Sequence, residues 1–317
     1  MSLYLVTGGC GFIGSHLVEA LVRRGEPVRV VDNLSTGKID NLPRSSAVVM
    51  LRGDLADRDT AERAMRDVTH VLHIAAIPSV PRSVADPILT NRANIDATLN
   101  VLVAARDAGV RRVVFASSSS VYGNTPTLPK HEGMTPNPIS PYALQKLVGE
   151  QYVGLFSELY GLDAVSVRYF NVFGPRQDPA SHYSGVISLF ISALVDGRQP
   201  TIYGDGEQTR DFTYVANVVD GTLKACHAPG VSGRVFNVAT NRCISLNRLF
   251  ETLRALTDAR IQPLYADPRA GDVRDSQADI SYARAVLGYE PSVPYEEGLR
   301  RTVEWYRTER AKQATPP

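Results

Sequence analysis

Cysteine is scarce in this chain: Cys10, Cys226 and Cys243 are the only three in 317 residues, an odd number with no CxxC spacing. That pattern argues against a disulfide framework and a cysteine-built metal centre, and the apolar or glycine-rich settings of all three are those of reduced, buried thiols. No metal site is expected. Long hydrophobic runs are missing as well, since no apolar stretch approaches the ~18 residues that cross a bilayer. The first strand-like run begins within three residues of the N-terminus, which leaves no room for a signal sequence, so the expectation is a cytoplasmic protein without membrane association. Nor is charge of one sign in excess. Lys and Arg together number 34 against 33 Asp and Glu, a formal net charge of +1. With no clustered basic run, nucleic acid is not an expected partner.

What is present is globular: 44% hydrophobic and 21% charged residues, enough chain for one large domain or two modest ones. No internal repeat is visible, and disorder is expected only at the polar end, Arg310 to Pro317. The most informative segment is Val6-Thr7-Gly8-Gly9-Cys10-Gly11-Phe12-Ile13-Gly14, between an apolar strand-like run and a helix-like one. Glycine at 8, 11 and 14 permits positive φ, close approach of backbone to a pyrophosphate and tight helix packing. The helix N-terminus supplies N–H groups and partial positive charge. A three-glycine pattern alone is weak, but Asp32 ends the next apolar strand, where a carboxylate suits a ribose diol and repels a 2′-phosphate. No Arg follows in Asn33-Leu34-Ser35-Thr36-Gly37. The implied cofactor is NAD, in preference to NADP.

The first half alternates strand-like runs near 3–7, 28–32, 47–51, 70–74 and 112–117 with helical patterns near 12–24, 57–67 and 92–108. Ala164–Tyr169 and Arg234–Val238 read as later strands. The expected fold is α/β, a doubly wound parallel sheet of Rossmann type with a smaller mixed α/β substrate lobe. Residues 1–170, with 213–240 returning to them, form the NAD-binding domain; 171–212 and 241–317 form the lobe, with Pro-containing turns at 263–268 and 291–294.

Ser140-Pro141-Tyr142-Ala143-Leu144-Gln145-Lys146 opens a helix, with Ser140 as N-cap and Pro141 at the first position. Tyr142 and Lys146 share one helical face, where the ammonium and the helix N-terminus would lower the phenol from its usual value near 10 and make it a general base. With 14 Tyr and five Lys in the chain, roughly 0.2 such Tyr-x-x-x-Lys pairs are expected by chance. Upstream, the strand Val113-Val114-Phe115-Ala116 runs into Ser117-Ser118-Ser119-Ser120. A serine run is often only a turn, yet this one places hydroxyls at the carboxyl end of the sheet, beside the expected nicotinamide.

These segments, together with Val121-Tyr122-Gly123, Arg168-Tyr169-Phe170-Asn171-Val172-Phe173-Gly174-Pro175-Arg176, Gly204 to Phe212 and Arg269-Ala270-Gly271-Asp272, resemble the extended short-chain dehydrogenase/reductases over nearly the whole chain. Within them the similarity is greatest to the UDP-hexose 4-epimerases. The resemblance implies Ser118 as the catalytic hydroxyl, Tyr142 as base and Lys146 as its partner. It implies cofactor contacts at Gly8, Gly11, Phe12, Ile13, Gly14, Asp32, Asn33, Ser35, Thr36, Gly37, Asp54, Leu55, Ala75, Ala76, Asn94 and Tyr169, as well as at Tyr142 and Lys146.

On the substrate side it implies Arg210 and Arg269 for a diphosphate, whose oxygens suit the planar guanidinium fork. Asn171, Ser79, Ser118 and Asp272 would contact the nucleotide sugar, and Val186 and Tyr203 would border the uracil. Dehydratases of this group carry Asp-Glu where Ser119 and Ser120 stand, and decarboxylases usually carry Glu at the second of these, so the resemblance favours a 4-epimerase. A UDP-glucuronate decarboxylase or 4-epimerase, or a 4,6-dehydratase, is the alternative. Ser276 occupies a place where glucose-restricted enzymes commonly have Tyr. That difference, and Pro78 to Ser83, imply acceptance of N-acetylated sugars. The resemblance also implies a homodimer through helices near 92–108 and 141–160. A nucleotide-sensing module is the remaining rival; it would need the glycine turn but not the Ser118, Tyr142 and Lys146 set.

Overall fold

The computed structural model describes residues 2–178, 185–268 and 274–314. Seven strands, β1 (Tyr4–Thr7), β2 (Val28–Asp32), β3 (Val48–Arg52), β4 (His70–His73), β5 (Arg112–Ser118), β6 (Ala164–Tyr169) and β7 (Val235–Val238), pair in parallel in the order β7-β6-β5-β4-β1-β2-β3. All six residues of β6 are buried, as a parallel strand covered on both faces requires. The order of strand addition reverses between β1 and β4, so the crevice beyond their carboxyl ends is the topological switch point where such sheets bind ligands.

Helices α1 (Phe12–Arg23), α2 (Arg58–Met65), α3 (Ala97–Asp107), α4 (Pro141–Tyr160) and α5 (Val215–His227) cover the sheet. One core packs Leu17 and Leu21 of α1 and Val218 and Leu223 of α5 against the sheet, and the other packs Met65, Val101, Leu102 and Phe156. A third cluster, including Phe173, Phe190, Phe212, Leu249, Phe250 and Leu299, holds the lobe helices α6 (Val186–Val195), α7 (Leu246–Thr257) and α9 (Tyr295–Ala314) together. Phe12 and Ile13 of the glycine turn pack against this lobe core, which ties the turn to the lobe.

Several local features differ from the sequence expectations. Helix α8 (Ser281–Leu287), in the span assigned to the lobe, packs its Ala283 and Leu287 into the core of the large sheet. Leu264–Ala266, expected as a turn after Pro263, pairs in parallel with Thr201–Tyr203. Residues 310–314, expected to be disordered, continue helix α9, and Arg310 pairs with Asp196. Cys243 is exposed, not buried, because it lies just before the short edge strand Ile244–Ser245. Among the described residues no helix is long and apolar enough to cross a membrane.

Candidate active site

The glycine turn is shaped as a cradle. Gly8 has φ +64° and donates its N–H to the Val31 carbonyl at 2.8 Å. A Cβ on Gly14 would lie 2.2 Å from the Gly8 carbonyl oxygen, so only glycine lets α1 start this close to the turn. Gly11 is the N-cap and offers no side-chain cap, and Gly8, Gly11, Phe12, Ile13 and Gly14 all line a cleft of about 1670 Å³. Uncapped helix amides around a close-approach turn fit a pyrophosphate.

Asp32 lines the same cleft, its carboxylate fixed by N–H donation from Cys10 at 3.0 Å and Leu34 at 2.8 Å. Asn33, Ser35, Thr36, Asp54, Leu55, Ala75, Ala76 and Tyr169 line it too. The 74–76 turn is pinned by Thr7, whose Oγ1 accepts from the N–H groups of Ile74 and Ala75 at 3.0 and 3.1 Å. That leaves the Thr7 hydroxyl to donate to His73 Nδ1 at 2.8 Å, while His73 Nε2 meets Thr98 Oγ1 at 3.0 Å. Burial holds the imidazole down at about 3, hence neutral.

Two expected cofactor contacts lie behind the cleft wall. Asn94 spends its amide on the Ile77 backbone and on Gln145, at 2.8 to 3.2 Å, and supports the turn. Gly37 packs against Cys10 and Asp32, where a Cβ would meet Cys10 at 2.9 Å.

Beyond β5 the three motif residues converge on the cleft. Ser140 caps α4 by accepting from Ala143 N–H at 3.2 Å, which places Tyr142 in the first turn, and the Tyr142 N–H donates to Ser83 Oγ at 3.0 Å. Ser118, at the end of β5, and Tyr142 both line the cleft. Lys146 Nζ donates to the Ala116 carbonyl at 2.7 Å and lies 5.0 Å from the centre of the Phe115 ring. Contrary to the sequence expectation, the phenol is not lowered: burial pushes it up to about 12, with the Ser118 side chain opposing. Burial also pulls the Lys146 ammonium down to about 8, with Glu150 opposing.

On the far wall, Asn171 takes φ +32° and donates from Nδ2 to the Asp211 carbonyl at 3.2 Å. Ser79 caps the short helix Val80–Ala85. Arg210 donates to the carbonyls of Thr209 and Arg274 at 2.8 and 2.9 Å, and Ser276 N–H donates to the Thr209 carbonyl at 3.1 Å. Asn171, Ser79, Arg210 and Ser276 all line the cleft; Val186 and Tyr203 do not. Val186 begins α6 and packs on the lobe core, and Tyr203 ends a strand, its carbonyl accepting from Gln208. Arg269 and Asp272 lie outside the described residues.

Lys38, Lys130, Arg176 and, from α9, Tyr306 and Arg310, to which the sequence assigns no site role, also line the cleft, as does Arg82 of the Pro78 to Ser83 stretch. The Arg176 guanidinium reaches the Asn41 carbonyl at 2.9 Å and Glu19 at 2.6 Å, joining the lobe entrance to α1. At the amino end of β4, His70, Cys226 and His227 bring ligand-type atoms within 4.8 Å of one another. Arg24, Arg111 and Arg112 act on this group, a cationic setting that disfavours a metal ion.

Over residues 4–239 the chain matches the NAD dependent epimerase/dehydratase family. It is 42% identical over 308 residues to a UDP-glucose 4-epimerase from Mycolicibacterium smegmatis, covering 96% of this chain and 98% of that one. Among solved structures, a UDP-N-acetylglucosamine 4-epimerase from Methanobrevibacter ruminantium in complex with UDP-N-acetylmuramic acid superposes with a TM-score of 0.93 at 43% identity, covering 97% of this chain and 98% of that chain. A UDP-glucose 4-epimerase from Thermus thermophilus in complex with NAD gives 0.89 at 39%, with 96% and 99% covered. The cradle, the Asp32 carboxylate and these similarities agree: the chain belongs to the NAD-dependent epimerase/dehydratase family, within the extended short-chain dehydrogenase/reductases.

Proposed function

We propose that this chain is a 4-epimerase of UDP-hexoses, inverting C4 through a transient 4-keto sugar, and that it accepts UDP-GlcNAc and UDP-GalNAc as well as UDP-Glc and UDP-Gal. The observation that carries the reading is the convergence of Ser118, Tyr142 and Lys146 on the cleft that the glycine cradle lines, at the carboxyl end of β5. Bound NAD supplies reversible acceptance of hydride from the sugar's C4. Tyr142 takes the proton from O4 and later returns it, and Ser118 hydrogen-bonds the same oxygen. A buried phenol gives up its proton reluctantly, and a nearby positive charge offsets that; Lys146, one helical turn on, is the cation of this face. Arg210 and Arg269 bind the diphosphate and Asn171 the nucleotide sugar. The lobe, 171–212 and 241–317, shields the keto sugar from water. The small side chain of Ser276 leaves room for an N-acetyl group, a reading supported by the similarity to the M. ruminantium enzyme.

The working form is a homodimer in the cytoplasm. Leu144, Leu155 and Leu159 stand exposed on one face of α4, with Val84 and Ile88 on the adjoining short helices, 48 to 82% exposed, an apolar area of the kind that marks an interface. Incubation with each UDP-sugar, followed by chromatography and mass measurement of intact products, tests the function. Interconversion at unchanged mass is expected. Loss of CO2 or water would assign a decarboxylase or dehydratase instead, and turnover unaffected by Tyr142→Phe would remove the tyrosine from the chemistry.

A further inference from the structure

Two consecutive residues of β5, Ala116 and Ser117, each engage a different side chain of α4, and the next, Ser118, lines the cleft together with Tyr142. The Ala116 carbonyl accepts from Lys146 Nζ at 2.7 Å, and Ser117 Oγ donates to Glu150 Oε1. Tyr142, Lys146 and Glu150 are spaced i, i+4, i+8 and so occupy one helical face. The helix sits this close because position 149 is glycine: a Cβ there would meet the Phe115 ring at 2.3 Å. Glu150 is therefore a third rung below the two catalytic ones, and no part of the chemistry proposed above uses it.

Its carboxylate is buried and so is its partner, Arg168 of β6, which donates from Nε at 2.8 Å and from Nη2 at 2.6 Å. Arg168 is held in turn over the Tyr122 ring, 4.6 Å from its centre, and the Tyr122 hydroxyl donates to Asn237 at 2.8 Å. A buried ion pair is an inefficient source of stability, since desolvation offsets the attraction and apolar replacements often serve as well. The location points to another role. Around the Lys146 ammonium the titratable groups are Tyr142 and Glu150 on its own helix, His73 on β4, and Arg168 on β6, which is paired to Glu150. His73 is neutral, so apart from the Tyr142 phenolate that the reaction uses, Glu150 is the one negative charge in this set.

We propose that Glu150 is a positioning residue for the reaction: pinned by Arg168 and Ser117, its carboxylate keeps the Lys146 ammonium charged and aligned behind Tyr142. The inference rests on the reading of Tyr142 and Lys146 as base and partner. Burial alone drives the ammonium toward neutrality and Glu150 opposes it. Neutralising Glu150 must then let Lys146 lose its proton at lower pH, while leaving the cofactor cradle and the substrate wall untouched.

The test is the pH profile of kcat for the NAD-loaded full-length chain and its Glu150→Gln variant. The alkaline limb should move to lower pH by about one unit, with kcat at pH 8.5 down about tenfold or more and KM for the UDP-sugar within about twofold. Because Glu150→Gln strands Arg168 as a buried charge, the double variant Glu150→Gln/Arg168→Met is measured alongside; its limb must move in the same direction. A folded variant whose kcat is scaled down with the limb unmoved overturns the proposal, and so does a double variant that cannot fold, since the pair is then structural. If the wild-type chain itself turns over no UDP-sugar, the reading of the site fails first, and this inference fails with it.

Discussion

Lys146 donates its ammonium proton to the Ala116 carbonyl at 2.7 Å, so the cation of the motif is bound to the backbone of β5 at the point where that strand delivers Ser118. Helix and strand are thereby one rigid unit, and the distance between phenol and cofactor cradle depends on how closely α4 sits on β5.

Gly149 and Gly154 lie on the same helix with opposite surroundings. A Cβ at 149 would overlap the fully buried Phe115 ring, which cannot swing aside without displacing His73 or Lys146, whereas a Cβ at 154 meets nothing within 4 Å. Gly149→Ala should cost about 1–3 kcal/mol and lower kcat at least tenfold, while Gly154→Ala should be neutral or stabilise by up to about 1 kcal/mol. Thermal unfolding and steady-state turnover of the two variants check this; equal behaviour would contradict the close-contact account.

His73 contributes a pH dependence to stability. Its folded value, about 3, lies below the 6.5 of the exposed imidazole, so the unfolded chain binds the extra proton. This contribution is fully present above pH 6.5 and is lost as pH falls toward 3, with a slope near 1.4 kcal/mol per pH unit. Urea unfolding of the wild type and His73→Gln at pH 7.5, 5.5 and 4.5 should show the gap between them narrowing as pH falls. Parallel curves would mean that His73 is not held neutral.

Sequence reasoning ends where burial and distant partners decide. The glycine turn, Asp32 and the Tyr142/Lys146 spacing were legible because each is a local requirement, read from adjacent residues. The tyrosine's protonation was misjudged because spacing reveals neighbours along a helix but not burial, and burial dominates here. The buried partners of Asn94, expected at the cofactor, and of Glu150 are hidden for a related reason. A polar residue on a helix can face a ligand or a buried partner, and Ile77, Gln145 and Arg168 come from distant segments that only the assembled sheet brings near. Helix α6 and the strand Leu264–Ala266 were hidden similarly, since their local glycines and prolines outweighed an apolar pattern that only tertiary contacts resolve.

Ser276 lines the lobe side of the cleft, where we propose that it acts as the gate for the N-acetyl group. Ser276→Tyr should reduce kcat/KM for UDP-GlcNAc and UDP-GalNAc by about a hundredfold, of the order a steric clash in a binding pocket imposes, and change that for UDP-Glc and UDP-Gal by no more than about threefold. Competition assays with mixed substrates read the ratio directly. Equal loss on both pairs would remove Ser276 as the gate.

Leu159 is 65% exposed on the apolar face of α4. Placing a charge there with Leu159→Asp should halve the mass seen by light scattering without lowering the monomer's helix content. A wild-type chain that elutes as a monomer would contradict the proposed dimer.

The central claim is that C4 is oxidised and reduced again within one closed site, with the same hydrogen restored to the same carbon. UDP-glucose deuterated at C4 tests it most directly. The account predicts UDP-galactose of unchanged mass that keeps the deuterium at C4; loss of the label to solvent, its appearance at another carbon, or a product lighter by water or CO2 would contradict it.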